Sequence, residues 1–152
     1  MVEAVVRDNI LSEIVKKVKD NYGFGAYLTQ CVFISRDLAV LIGKQFPEFE
    51  VFTAIGHKMK RPYTTSHHQV TVVQEPTEVY SLDLTAPIYK QGEITKLRAD
   101  STPGMLTELH RHYGGTWELN AKYFPESQHL RRLKDGQWST EKPIPLSVRI
   151  TT

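Results

Sequence analysis

The sequence predicts one α+β domain, with helices first and a mostly antiparallel sheet after them. Three observations predict it. Two stretches in the first third carry apolar residues at helical spacing; three later runs are rich in Val, Phe, Tyr and Thr; and a short proline-containing connection joins two of those runs. At 152 residues the chain suits a single domain spanning its whole length, large enough for a real core.

The first helix is expected from about Asp8 to Asn21. Asp8 can cap it, Ile10, Leu11, Ile14, Val15 and Val18 form one apolar stripe, and Tyr22-Gly23-Phe24-Gly25 stops it. The second is expected from about Gln30 to Phe46, with Thr29 as its cap. Its apolar residues Val32, Phe33, Ile34, Leu38, Ala39, Val40, Leu41 and Ile42 wrap most of the circumference, which places it centrally.

Phe49 to Ile55 reads as a strand and 56–66 as a loop. His67 to Val73 and Glu78 to Thr85 read as two more strands, joined by Gln74-Glu75-Pro76-Thr77. A third helix starts near Thr102-Pro103, carries Met105, Leu106 and Leu109, and ends at Gly114-Gly115. Pro145 to Ile150 is a candidate closing strand.

Composition narrows the function classes. The apolar fraction is 40%, the charged fraction 24% and the net charge +2, all ordinary for a globular protein. Lys58-Met59-Lys60-Arg61 and Arg131-Arg132 are short basic groups of the kind found in solvated loops, so no nucleic-acid partner is expected. Cys31 is the only cysteine, which excludes a disulfide framework and a multi-cysteine zinc site. No apolar run approaches the ~20 residues that span a bilayer, and the first residues lack a signal-peptide pattern. The expectation is no membrane partner, and either a cytoplasmic location or delivery by a signal-independent route.

Cys31, His68 and Asp83 form the candidate catalytic set. A four-residue loop at 74–77 pairs Val73 with Glu78 and, continuing, His68 with Asp83, whose Cβ atoms would then lie about 4.5–5.5 Å apart. Alternation places His68, Val70 and Val72 on one face of the strand and His67, Gln69 and Thr71 on the other. The first face is the more apolar and is expected to meet the Cys31 helix, which makes His68 the base and turns His67 away.

Each residue type has a task. The thiolate is the nucleophile, and a helix N-terminus and a nearby imidazolium both favour it. The imidazole returns a proton to the leaving amine, and the carboxylate orients the imidazole. The Cys31 backbone N–H is one candidate oxyanion donor, and the Gln30 side chain or a backbone amide of Tyr22 to Gly25 is another. No cofactor and no metal are expected.

Gln30-Cys31-Val32-Phe33-Ile34-Ser35, His67-His68-Gln69-Val70-Thr71-Val72 and Tyr80-Ser81-Leu82-Asp83-Leu84-Thr85 resemble the papain-like cysteine hydrolases with transglutaminase-type order. The likeness covers about residues 28–86. It implies a papain-like fold with a central helix bearing the nucleophile Cys31 packed on an antiparallel sheet. It also implies His68 at the start of a strand and Asp83 at the end of the next. The spacing is similar to that in bacterial effector and polymorphic-toxin domains, several of which deamidate glutamine. The expected activity is therefore cysteine-dependent amide hydrolysis, foremost protein glutamine deamidation through a thioester. A peptidase or a transglutaminase remains an alternative, and a non-catalytic protein-binding module is the alternative of another class. The expected partners are a protein substrate and a cognate immunity protein or inhibitor.

His110 and His112, with Glu108, do not converge as metal ligands, because spacing i, i+2 puts the histidines on different helix faces. Trp117, Tyr123, Phe124 and Trp138 read as core or a partner surface.

Overall fold

The computed structural model describes residues 4–21, 31–59, 67–84, 94–123, 129–132 and 138–141, with only the backbone for 4–5, 21, 31–32 and the last two segments. The architecture is mixed α+β. Helices α1 (Ala4–Asn21) and α2 (Cys31–Gln45) precede strands β1 (Glu50–His57), β2 (His67–Gln74), β3 (Val79–Asp83) and β4 (Thr95–Ala99). Helix α3 (Thr102–Tyr113) and strands β5 (Thr116–Tyr123), β6 (His129–Arg132) and β7 (Trp138–Glu141) follow. The strands form one sheet in the order β4-β3-β2-β1-β5-β6-β7, with every neighbouring pair antiparallel.

Helix α1 begins at Ala4, so Asp8 lies inside the helix and does not cap it. The stripe that starts at Ile10 marks only where α1 meets the core; the first turn precedes it. Helix α2 is described from Cys31 to Gln45, while Gln30, Thr29 and the Tyr22–Gly25 stop lie outside the described residues. Its apolar surface is not all buried. Ile34, Leu38, Ala39 and Ile42 are in the core, but Phe33 is 48% exposed, under the Arg36 guanidinium.

The sheet has a core on each face, as alternation along the strands requires. Val51, Val73, Tyr80, Leu82 and Tyr123 pack with Leu11 and Val18 of α1 and with α2. Phe52, Ala54, Val70, Val72 and Val79 pack instead with Met105, Leu109 and Tyr113 of α3. Both faces of β2 are therefore buried, and only His67 among its residues is exposed.

Helix α3 is set by local chemistry. The Ser101 side chain accepts from Gly104 N at 3.0 Å, capping the first turn around Pro103. At the other end Gly114 N donates to His110 O at 2.7 Å. Gly114 and Gly115 both have φ of +74°, and a Cβ on Gly115 would sit 2.1 Å from the His57 carbonyl oxygen, so only glycine fits there. The pair turns the chain directly into β5, which lies beside β1 rather than beside β4.

The β2–β3 register differs from the expected one by two residues. Gln74 faces Val79 and Val72 faces Ser81, leaving Glu75 to Glu78 as the loop, closed by Glu75 N donating to Glu78 O at 2.8 Å. His68 is therefore not directly opposite Asp83. Loop length alone gave the wrong frame because β2 keeps pairing through Gln74. The shift is even, so the residues expected to share a face of the sheet still do. Strands β4 to β7 have no counterpart in the sequence reading, and the proposed closing strand at 145–150 lies outside the described residues.

Candidate active site

His68 is the second residue of β2 and Asp83 the last of β3; both are buried, at 7% and 2% exposure. Their side chains meet, with His68 Nε2 2.6 Å from Asp83 Oδ2. Diagonal neighbours on one face are within reach of long side chains, so the imidazole spans the two-residue offset of the register. An ionised carboxylate only accepts, so Nε2–H is the donor of this contact.

Two residues that the sequence reading did not place at the site complete this cluster. Tyr113, the last residue of α3 and fully buried, donates its hydroxyl to the same Asp83 Oδ2 at 2.5 Å. Trp117 on β5 stands edge-on to the His68 ring, with centroids 6.2 Å apart, and packs against Tyr113 at 5.2 Å. Its indole N–H donates to Gly114 O at 2.9 Å. Gly56 pairs with both His68 and Trp117, and a Cβ there would lie 2.4 Å from the indole. A glycine between two strands that carry a histidine and a tryptophan at the same level was the available sequence signal, but it requires the β1–β5 pairing to be known.

Helix α2 crosses the opposite face. Gln69 Nε2 donates to Ser35 Oγ at 2.9 Å, and Thr71 Oγ1 donates to the Ser35 carbonyl at 2.8 Å. The helix then leads through Phe46 and Phe49 into the start of β1, which pairs with the end of β2. α2 and β2 thus run in the same direction. Stepping back one turn from Ser35, about 5.4 Å, brings Cys31 to the level at which β2 begins. The start of α2, His67, His68, Asp83 and the end of α3 all come to one end of the sheet.

The expectation that the His68 face meets the Cys31 helix is corrected by this arrangement. His68 lies under α3, while the face of β2 containing Gln69 and Thr71 meets α2; by alternation that is also the side of His67. Polarity misled the assignment because Gln69 and Thr71 are buried and satisfied by hydrogen bonds to the helix, which is how polar side chains enter a core. The side chain of Cys31, and Gln30 entirely, lie outside the described residues. His110 Nδ1 lies 2.5 Å from Gly115 O, and no metal-ligating cluster occurs among the described residues. Among the described residues, no helix is long and apolar enough to cross a membrane.

Comparison with known proteins gave no match to a family model, to a curated protein or to a solved structure.

Proposed function

We propose that this chain is a cysteine-dependent amide hydrolase with a papain-like arrangement, acting foremost as a protein glutamine deamidase. The observation that carries the reading is the buried His68–Asp83 contact at the end of the sheet where α2 begins with Cys31. The first residue of a helix places a thiol beside unsatisfied backbone N–H groups and the positive end of the helix dipole, both of which favour the thiolate. The reading requires Cys31 of α2 and His68 on the α3 face to meet around the end of the sheet.

In the proposed reaction the Cys31 thiolate attacks the amide carbon of a glutamine side chain. Electrons move onto the oxygen, and protonated His68 then gives the leaving nitrogen its proton. Ammonia departs and a thioester remains. His68 next removes a proton from water as it attacks the thioester, and collapse releases the carboxylate and the thiolate. Asp83 holds the ring with Nδ1 directed to the chemistry, and Tyr113 holds Asp83. Cleavage of a backbone amide or capture of the thioester by an amine uses the same first step. The partners implied are a protein substrate and a cognate inhibitor.

One observation favours a second reading. His68 and Asp83 lie on the α3 face, among Tyr113 and Trp117, so the cluster also serves as a polar clamp that seats α3 in a protein-binding module. Thiol alkylation by iodoacetamide across pH separates the two. The enzyme reading expects Cys31 to react well below the ordinary thiol range around pH ~8.5, and His68→Ala and Asp83→Asn to restore ordinary behaviour. A wild-type Cys31 that titrates like a free cysteine refutes it. Mass spectrometry of candidate proteins treated with wild type or Cys31→Ala then distinguishes amide-to-acid conversion, cleavage and crosslinking.

A further inference from the structure

We infer that the groove between α1 and the β3–β4 edge binds a small organic anion with an apolar tail, of the medium-chain carboxylate type. The inference does not rest on the proposed amide hydrolysis. One wall is a single face of α1, formed by Asp8, Leu11, Ser12, Val15, Lys16 and Lys19, at spacings of three and four residues. The other wall is Leu82, Ile94 and Lys96. The volume is about 470 Å³, within the range of small-molecule sites and too small to seat a helix about 10 Å across.

The lining divides by chemistry. Leu11 and Leu82 are buried, Val15 and Ile94 half-buried, and together they make an apolar floor. Lys16, Lys19 and Lys96 stand around it, against the single carboxylate of Asp8, which already holds the Arg7 guanidinium at 3.3 Å. The neighbouring arginines are engaged elsewhere: Arg7 also pairs with the buried Glu75, and Arg98 pairs with Glu78 at 3.1 Å. Among the described residues neither Lys16 nor Lys96 forms an ion pair.

Lys96 is held in place, its ammonium 4.3 Å from the centre of the Tyr80 ring. Desolvation, then the nearby Arg98, lowers its pKa from the ordinary lysine value, and an anion in the groove opposes both effects. An excess of cations over an apolar floor selects a ligand with one anionic end and one aliphatic end. Inorganic phosphate would use only the rim, and a neutral amphiphile only the floor.

Amide chemical-shift titration of the full chain with octanoate tests this, with hexanoate, 1-octanol and inorganic phosphate as parallel arms. Octanoate is expected to shift α1 and β3–β4 resonances. Hexanoate is expected to bind about sixteenfold more weakly, about fourfold for each methylene lost. Lys16→Gln/Lys96→Gln is expected to weaken octanoate at least about tenfold while keeping a dispersed spectrum, since both side chains are exposed. The inference is overturned if octanoate shifts nothing there, if octanol or phosphate binds as tightly, or if the double variant binds octanoate unchanged.

Discussion

Removing the Asp83 carboxylate probes the centre of the candidate site most directly, because it leaves two buried donors without an acceptor. His68 Nε2 and the Tyr113 hydroxyl both use Oδ2, and Asp83, Tyr113 and His68 are at most 7% exposed. A buried donor left unsatisfied costs about 1–3 kcal/mol, so Asp83→Ala is expected to destabilise the fold by about 4 kcal/mol. Tyr113→Phe deletes one donor and leaves the His68 contact, at about 2 kcal/mol for a hydrogen bond to a charged group. In the double variant only His68 is orphaned by the loss of Asp83. The total is then about 4 kcal/mol rather than the additive 6, a coupling of about 2 kcal/mol. Urea unfolding of the four proteins at neutral pH, followed by circular dichroism, measures all three terms. If the single effects add to within about 0.5 kcal/mol, the two residues do not share one network and Tyr113 does not hold Asp83.

Three further predictions follow from other parts of the fold. Gly56→Ala forces the Trp117 indole out of a 2.4 Å clash and is expected to cost about 1–3 kcal/mol in urea unfolding, with a change in the near-ultraviolet spectrum. Arg7→Ala leaves Glu75 buried without its cation and is expected to cost about 3 kcal/mol; Arg7→Ala/Glu75→Gln is expected to recover part of that, and no recovery would show that the ion pair contributes only packing. Burial, with the Glu75 carboxylate beside it, raises the pKa of Tyr80 far above the ordinary value near 10. Above pH ~10 the unfolded chain therefore releases a proton that the folded chain keeps, and stability falls as pH rises. From well below that value to pH ~11, wild type is expected to lose about 1.4 kcal/mol relative to Tyr80→Phe; parallel unfolding curves at the two pH values would exclude this.

The parts of the fold that were legible in the sequence are those set by local chemistry. Helix α3 was marked at both ends, by Pro103 and by Gly114-Gly115, and its extent agrees closely with the expected one. The body of α2 and the His67–Val73 strand were also readable, because apolar spacing and β-branched runs act within a few residues. What failed required knowledge of the partner. The hairpin register depended on Gln74 continuing to pair, and β4 and β5 lack the dense apolar runs that mark β1 to β3. Tyr113 joins the site only because α3 crosses from the β4 edge to β5, a path no local pattern specifies.

The two adjacent histidines of β2 connect the fold to the proposed chemistry. Consecutive strand residues point to opposite faces, so His67 and His68 address different helices from the same end of the sheet. His68 has the carboxylate that a catalytic imidazole needs, but its ring belongs to the α3 face. His67 is on the side of α2, one turn of which separates Ser35 from Cys31, but it is exposed. A sheet sandwiched between helices makes such a division unavoidable, because each face is owned by a different element. The proposed triad requires the end of the sheet at which the described parts of α2 and β2 both begin. On the proposed reading, a change in the first described turn of α2 is expected to lower activity while leaving the two cores intact, whereas a change at Ser35, Gln69 or Thr71 removes a hydrogen bond that seats the helix on the sheet.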